Sequence, residues 1–368
     1  MNGSNIFAGT YFGGIFLTAN NGGSWTEVNN GLTNKDITSL AISGNNLFAG
    51  VFGYFSGAGV FKSTNNGGNW IASGLTNQVV YSLAVNGNKI FAGTAGLIGT
   101  GGVYISTDNG GSWTYSGLSD LNVNSLVVTE NKIFAGTGGN VGGSKVFLST
   151  NYGSAWTPAG LSGQYINALA VYGNNLFAGT SAGGVFLSSN NGENWTAAGL
   201  FDKSIYSLAI SGGNLFAGTD SGVYQTTNNG SNWIVRNAGF TSIPAVNTLL
   251  LKDNNIFAGT FGQSVWKGLI TNIKYNSSIT PSSFSLEQNY PNPFNPVTNL
   301  EFGISDLGFV SLKVYDILGK EVVTLVNEKL NPGKYKVEFD GSGLSSGVYF
   351  YKITAGEFTD TKRMMLVK

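Results

Sequence analysis

Apolar and polar residues alternate in short runs along the first 270 residues of this 368-residue chain. Residues 37–42 alternate with a period of two, which predicts a β-strand, here called strand A. The pair Gly44-Asn45 favours a tight hairpin turn into strand B, predicted over residues 47–50. Residues 59–63 and 70–72 predict strands C and D. The pattern therefore predicts repeated units of four short antiparallel strands.

The same unit returns along the chain and is marked by the tripeptide Phe-Ala-Gly in strand B. The tripeptide occurs seven times, beginning at Phe7, Phe48, Phe91, Phe134, Phe177, Phe216 and Phe257. The first unit lacks strand A, and the last unit (246–266) lacks an obvious strand D, for which residues 270–275 are a candidate. Seven B strands and seven C strands predict seven units, or six if the two incomplete ends pair with one another. Because the chain opens in the middle of a unit, we expect its N-terminus to be cut, with a signal peptide and a first strand missing.

A second marker lies in the turn between strands C and D. It reads Ser/Thr-x-Asn/Asp-x-Gly-x-x-Trp and is called the box below; its six tryptophans are Trp25, Trp70, Trp113, Trp156, Trp195 and Trp233. Successive tryptophans lie 45, 43, 43, 39 and 38 residues apart. A repeat of roughly 40 residues is typical of one four-stranded propeller blade. We therefore predict an all-β fold in which residues 1–270 form a seven-bladed β-propeller, with six blades as the alternative.

The box resembles the Asp-box, or BNR repeat, of sialidases, sortilin-type receptors, xyloglucan-degrading enzymes and photosystem-assembly propellers. In that family the box is a turn on the face opposite the active site. A side-chain acceptor at the third position can bond backbone amides of its own turn, and glycine at the fifth position tolerates positive φ. The third position is filled by Asn20, Asn65, Asp108, Asn151, Asn190 and Asn228. Because five of the six are amides, we expect a structural role and no calcium site.

A different module follows residues 271–283, which we interpret as a linker. Residues 284–296 contain three closely spaced prolines, and alternating strands are predicted at 300–304, 310–315, 334–339 and 348–353. Residues 281–368 carry 9 basic and 10 acidic side chains, whereas residues 1–270 carry 9 and 9, so charge is about threefold denser in the tail. We predict a small immunoglobulin-like β-sandwich over residues 284–368.

This segment resembles the type A sorting domain of the type IX secretion system of Bacteroidetes-type Gram-negative bacteria. The residues that carry the resemblance are Tyr290, Pro291, Asn292, Pro293 and Phe294, then Val314-Tyr315-Asp316 with Gly319, then Gly347 and Tyr349, and finally Lys362 to Lys368. The resemblance implies export by the type IX secretion machinery to the extracellular space or the outer-membrane surface. In the family the tail is often removed, and the cargo is released or attached to surface lipopolysaccharide.

Composition removes several classes of chemistry. Cysteine and histidine are both absent, which excludes disulfides, thiol catalysis and histidine-based triads and leaves nearly no basis for a zinc site. We therefore expect no metal and no cofactor. The formal net charge is zero and the isoelectric point is about 6.3, so we expect no nucleic-acid partner. No apolar run reaches the roughly 18 residues of a transmembrane helix.

Candidate ligand-binding residues lie in the B–C loops, which vary between units more than the strands do. These loops carry aromatic and large apolar side chains at Tyr11, Phe12, Phe52, Tyr54, Phe55, Leu97 and Ile98. Exposed aromatic rings on a neutral surface suit carbohydrate or protein ligands. The alternative is that these side chains pack over neighbouring blades.

We expect a binding module rather than an enzyme, although a hydrolase is weighed as the alternative. A sialidase needs an arginine cluster, and this propeller has only Arg236. Polysaccharide hydrolysis of the xyloglucanase type needs two carboxyl groups across a cleft. The loop residues that could supply them are Asp36, Asp120, Asp202 and Asp220. A third interpretation is a passive structural protein of the cell surface or matrix.

Overall fold

The computed structural model describes residues 3–53, 58–95, 101–139, 143–237, 240–252, 255–269, 273–277 and 281–368. All regular secondary structure in these ranges is β-strand. The described residues include no helix long and apolar enough to cross a membrane.

Seven antiparallel sheets form within the described part of residues 3–269, one after another along the chain. The first has three strands, β1 (Ile6–Thr10), β2 (Gly14–Thr18) and β3 (Thr26–Glu27). The second has four, β4 (Ile37–Ser43), β5 (Asn46–Val51), β6 (Gly59–Ser63) and β7 (Ile71–Ala72). The third has β8 (Val79–Asn86), β9 (Lys89–Ala95), β10 (Gly102–Ser106) and β11 (Thr114–Gly117). The fourth has β12 (Asn122–Val128), β13 (Ile133–Gly138), β14 (Val146–Ser149) and β15 (Thr157–Pro158).

The remaining three sheets continue the same order. The fifth has β16 (Ile166–Tyr172), β17 (Asn175–Thr180), β18 (Val185–Ser188) and β19 (Thr196–Ala197). The sixth has β20 (Ile205–Ser211), β21 (Asn214–Thr219), β22 (Gly222–Thr226) and β23 (Ile234–Val235). The seventh has three strands, β24 (Val246–Lys252), β25 (Asn255–Thr260) and β26 (Val265–Leu269). Each sheet is thus a meander in which sequential strands are neighbours.

Adjacent sheets pack through the glycine of the Phe-Ala-Gly tripeptide. A β-carbon at Gly136 of β13 would lie 2.5 Å from Cγ2 of Ile166, which begins the next sheet. The equivalent glycines are Gly9, Gly50, Gly93, Gly179 and Gly218, which face Ile37, Val80, Val123, Ile205 and Val246 in turn. The missing side chain lets a buried β-branched residue touch the backbone of the preceding sheet. The repeated tripeptide therefore fixes the distance between neighbouring sheets.

The last sheet lies against the first. A β-carbon at Gly22 would lie 3.1 Å from Cε1 of Phe257, just as one at Gly110 would lie 2.7 Å from Cε1 of Phe48 in the preceding sheet. The Lys252 ammonium also donates a hydrogen bond of 3.0 Å to the Ser4 carbonyl. The contact between a box glycine and a phenylalanine of the preceding sheet therefore also occurs between the first sheet and the seventh. The seven sheets of the described residues thus close into a ring.

The C-terminal strands form two more antiparallel sheets. One has the order β27 (Ile273–Ser277), β32 (Gly333–Asp340), β29 (Val297–Ile304) and β28 (Ser285–Leu286); the other has β31 (Glu321–Leu330), β30 (Gly308–Tyr315), β33 (Gly347–Ala355) and β34 (Phe358–Leu366). Alternate residues of both sheets enter one shared core that includes Phe294, Leu312, Val337 and Tyr351. The domain is therefore a two-layer β-sandwich.

The residues between the two domains differ from the sequence expectation. The sequence predicts a linker over residues 271–283, with residues 270–275 as a candidate outer strand of the last propeller unit. The structure instead pairs β27 with β32, with Ile273 opposite Val337; residues 270–272 lie outside the described ranges. The outer-strand interpretation is wrong because an alternating pattern predicts a strand but does not specify its partner.

Candidate functional site

The six boxes share one hydrogen-bonded turn. The hydroxyl at the first position donates to Oδ1 at the third position and accepts from the amide of the glycine at the fifth, at 2.8–3.0 Å. The same Oδ1 accepts the amide of the seventh residue at 2.9–3.0 Å. The five asparagines and Asp108 make identical bonds, because an amide oxygen accepts as a carboxylate oxygen does.

Backbone conformation explains two further positions of the box. The fifth-position glycines have φ between 84° and 92°, as expected from sequence. The fourth position is also left-handed, with φ between 56° and 61°, and asparagine fills it in Asn21, Asn66, Asn109, Asn191 and Asn229. Tyr152 adopts the same conformation at 56°. Asparagine tolerates this region better than other non-glycine residues, which accounts for the Asn-Gly pairs.

The box tryptophans connect neighbouring sheets. Five indole N–H groups donate to a backbone carbonyl near the outer strand of the preceding sheet: Trp70 to Val28 (2.8 Å), Trp113 to Ser73 (2.6 Å), Trp156 to Ser116 (2.7 Å), Trp195 to Ala159 (2.8 Å) and Trp233 to Ala198 (2.8 Å). The box of Trp25 lies against the seventh sheet through Gly22, and that sheet has no fourth strand in the described residues. The Trp25 indole bonds to no described carbonyl. The indoles therefore act between sheets and surround no cleft.

The B–C loops lie at the opposite end of the sheets from the boxes. In a four-stranded meander the A–B and C–D turns share one end, and the B–C and D–A loops share the other. Among the sequence candidates, Tyr11 and Phe12 are exposed, and their rings meet edge to face at 5.0 Å. Phe52 lies 6.0 Å from Tyr11, between ring centroids. The structure thus brings these three together, in an aromatic cluster that spans the first two sheets.

The remaining candidates, Tyr54, Phe55, Leu97 and Ile98, lie outside the described residues. Sequence reasoning missed other exposed apolar side chains at the same end of the sheets. Phe261 in the B–C loop of the seventh sheet is 77% exposed, and Phe201, Ile243 and Tyr165 occupy D–A loops. The sequence carries a signal for them, since each is a large apolar residue in a loop that joins two predicted strands.

Three of the four candidate catalytic carboxylates are engaged in local contacts. Asp36 Oδ1 accepts the Phe12 amide at 2.7 Å, so this side chain holds the aromatic loop. Asp220 accepts the Ser204 amide at 3.1 Å. Asp202 pairs with Lys203 at 2.9 Å, and this hydrogen bond lowers the pKa of the Asp202 carboxyl. Asp120 is an exposed turn residue with φ of 61°. The lowered pKa of Asp202 is the opposite of what a general acid requires.

The electrostatics of the box differ only at Asp108. Its carboxylate accepts hydrogen bonds from the side chain and the backbone of Ser112 and from the Ser106 hydroxyl, and these hold the pKa of Asp108 well below its usual range. Within the described ranges no three acidic side chains gather into a potential metal site.

The start of the sandwich is bonded to its last strand. The amides of Phe294 and Val367 bond to the carbonyls of Met365 and Phe294 at 2.9 and 3.0 Å, and Asn292 Oδ1 accepts the Met365 amide at 3.0 Å. The Phe294 ring is buried and lies 5.8 Å from Phe339. The predicted sorting motif at 290–294 is therefore one structural unit with β34.

A buried polar network lies beneath that motif. Asn289 donates to the Pro291 carbonyl and to the Thr298 hydroxyl, both at 3.0 Å. The Tyr351 hydroxyl accepts the Asn289 amide at 2.7 Å and donates to the Glu287 carbonyl at 2.8 Å. Burial raises the pKa of Tyr351 to about 12. Sequence reasoning missed Asn289, which precedes Tyr290, and Tyr351, which lies two residues after Tyr349.

The other predicted sorting residues are spread over both sheets of the sandwich. Tyr290 is 81% exposed, unlike Phe294. The Tyr349 hydroxyl donates to the Ser345 carbonyl at 2.8 Å, and Gly347 pairs with Leu366 across β33 and β34. Lys362 lies 3.6 Å from Asp360, and the Lys368 ammonium donates to the Ser342 carbonyl at 2.6 Å. The chain contains no cysteine and no histidine, so these contacts are made by other residue types.

Two protein families match parts of the chain. Residues 288–368 match a secretion system C-terminal sorting domain, and residues 115–250 match the DUF6242 beta propeller domain. No curated protein matches the chain. The predictions of an all-β propeller and of a C-terminal sorting domain are confirmed. The sorting domain indicates secretion through the type IX system to the extracellular space or the outer-membrane surface.

Solved structures share the fold at low sequence identity. YCF48 bound to D1 peptide aligns with a TM-score of 0.57 and 15% identity, covering 72% of this chain and 89% of that one. YCF48 from Cyanidioschyzon merolae gives 0.54 and 15%, covering 73% and 92%. The extracellular domain of a hybrid two-component system from B. thetaiotaomicron gives 0.55 and 12%, covering 100% of this chain and 56% of that one. At these identities the likeness shows the propeller fold alone.

Proposed function

We propose that this secreted propeller is a binding module that recognises an extracellular glycan or protein through the end of its sheets that carries the B–C and D–A loops. The observation that carries the proposal is the aromatic cluster of Tyr11, Phe12 and Phe52. Phe12 is 76% exposed although its backbone amide is fixed by Asp36. An ordered aromatic ring held in water suits stacking on a sugar ring or insertion into a protein surface, because little entropy is lost on binding.

The contacts of the candidate carboxylates fit a protein that binds its ligand without cleaving it. Asp36 and Asp220 accept backbone amides, and Asp202 has its acidity increased by Lys203. A polysaccharide hydrolase would instead need one carboxyl with a raised pKa facing a second across a cleft. The peptide complex of the structurally similar YCF48 is consistent with ligand binding by this fold. The proposal also includes two steps after export, namely removal of the C-terminal tail and attachment of the exported protein to surface lipopolysaccharide.

The test is ligand screening with the purified full-length chain on a glycan array and a peptide array. Phe12→Ala and Tyr11→Ala should weaken a retained ligand by about tenfold or more, the loss typical of an interface aromatic. Ile71→Ser is the matched control, since Ile71 is exposed to 58% on an outer strand away from the loops. Equal weakening by all three variants, or no ligand on either array, contradicts the proposal. Release of reducing ends from a glucan, abolished by Asp36→Asn, would establish the hydrolase instead.

A further inference from the structure

The second sheet of the sandwich has an outer face that carries large apolar residues. Val314, Tyr351 and Met364 point into the core, so their neighbours Tyr315, Phe350 and Arg363 point outward and lie side by side across β30, β33 and β34. Val348 and Met365 form the next row of the same face. This face, together with the turn at residues 316–320, is called the turn face below.

A shallow, open groove of about 410 Å³ lies on the turn face. It is lined by Tyr315, Asp316, Ile317, Gly319, Phe350, Lys352 and Thr361. Asp316 Oδ1 accepts the amides of Leu318 and Lys320, both at 2.9 Å, and so fixes the turn. In this fixed turn Ile317 is 72% exposed and Leu318 is 89% exposed. Two adjacent aliphatic side chains are thus held in water beside a groove, which marks an interaction surface.

The charges on the turn face are unbalanced. Within the described residues, Lys352 and Arg363 form no ion pair through their side chains. The two carboxylates of this face are already used, since Glu321 pairs with Lys313 at 2.8 Å and Asp316 accepts the turn amides. Four cations (Lys313, Lys320, Lys352 and Arg363) against two carboxylates leave a surplus of two positive charges. A partner for this face should therefore be acidic as well as apolar.

We propose that the turn face docks a protein segment of the secretion machinery that carries an apolar side chain flanked by aspartates or glutamates. The apolar side chain enters the groove against Ile317 and Phe350, and the acidic residues face Lys352 and Arg363. The inference rests on the export role of the sorting domain and is independent of what the propeller binds. It assigns recognition to the turn face, and it leaves Phe294 and Asn289 to hold the sandwich together.

The experiment is export of the full-length chain from a bacterium that has a type IX system. Leu318→Asp puts a negative charge where an acidic segment would dock, and the double variant Lys352→Glu/Arg363→Glu reverses the charge of the rim. Both should reduce exported protein by about tenfold or more, because like charges replace complementary ones. Leu307→Asp is the matched control: Leu307 is also an exposed leucine of the sandwich, but it precedes β30 and so lies at the other end of that strand from the turn at residues 316–320.

Two further measurements on the same variants distinguish a defect in docking from a defect in folding or in lipid binding. Each purified variant should unfold at the temperature of the original chain, because the altered side chains are exposed. The proposal is overturned if Leu318→Asp is exported normally, or if Leu307→Asp is blocked equally. It is also overturned if the charge-reversed variant is exported normally but no longer binds lipopolysaccharide micelles, since the turn face would then recognise an anionic lipid. If the propeller binds no ligand on the glycan and peptide arrays, the export result is unaffected, because the turn face belongs to the sorting domain.

Discussion

Removing one indole N–H should show how strongly the boxes hold neighbouring sheets together. Trp156→Phe keeps an aromatic ring but removes the hydrogen bond of 2.7 Å to the Ser116 carbonyl of the preceding sheet. Trp25→Phe makes the same change in a box whose indole bonds to no described carbonyl. Because both tryptophans are half-buried, the two substitutions lose similar apolar area. The pair therefore isolates the hydrogen bond between sheets.

The expected magnitude follows from the two contributions. The smaller ring loses apolar contact worth roughly 0.5 kcal/mol in either half-buried box. Trp156→Phe also loses a hydrogen bond, at about 1 kcal/mol net, and leaves the Ser116 carbonyl without this donor. We expect Trp156→Phe to lower the free energy of unfolding by about 1–3 kcal/mol and Trp25→Phe by less than about 1 kcal/mol. A difference of 1 kcal/mol corresponds to about 2 °C in Tm for a domain of this size.

Urea and thermal unfolding of the full-length chain, followed by far-ultraviolet circular dichroism, will measure the difference. Circular dichroism is preferred because both substitutions alter tryptophan fluorescence directly. If Trp25→Phe destabilises the protein as much as Trp156→Phe, the bond between indole and carbonyl does not hold the sheets, and the tryptophans stabilise the propeller through contact area alone.

Three further predictions concern single side chains. Asp108→Asn should leave stability near pH 7 almost unchanged, since asparagine fills the other five boxes. Because the pKa of Asp108 is lowered in the folded state, the stability that its carboxylate contributes is lost as pH falls below about 4. Urea titrations at pH 7 and pH 3 should therefore show a smaller loss of stability at low pH in the variant than in the original chain. Tyr351→Phe should cost about 1–3 kcal/mol by leaving the Asn289 amide unpaired. The raised pKa of Tyr351 means that its contribution is complete below about pH 10 and lost as pH rises through 12, so alkaline titration should destabilise the original chain more than the variant. Gly136→Ala should cost about 1–3 kcal/mol by overpacking against Ile166, and a Tm equal to that of the original chain would contradict the packing described above.

Local patterns predicted much of the propeller correctly. The expected strand at 59–63 coincides with β6, and strand A at 37–42 ends one residue before β4 does. Alternation and Gly-Asn turns such as Gly44-Asn45 predict the sheets correctly, because each strand pairs with its neighbour in sequence and local signals therefore also fix the partner. The turn chemistry of the box was predicted for the same reason, since the bonds of its hydroxyl and Oδ1 groups lie within seven residues, whereas the indole bonds to the preceding sheet were not predicted.

Long-range pairings in the sandwich escaped the sequence. β31 and β34 were not predicted as strands, although both alternate, because their polar faces resemble solvated loops. β27 was assigned to a linker, since nothing in residues 273–277 specifies β32 as a partner. The loop candidates were only partly identified, because exposure depends on the neighbouring sheet: Tyr11 and Phe52 meet across two units. The role of Asp36 in holding the Phe12 amide was likewise invisible without coordinates.

The bonds between residues 292–294 and β34 affect when the export domain becomes recognisable. Phe294 lies near the beginning of that domain, yet its backbone partners, Met365 and Val367, are more than seventy positions later. During synthesis the early segment must therefore wait, without its final neighbour, until the closing strand has left the ribosome. Only a fully translated polypeptide displays the finished export domain, so a truncated cargo cannot present the same surface to the transport apparatus.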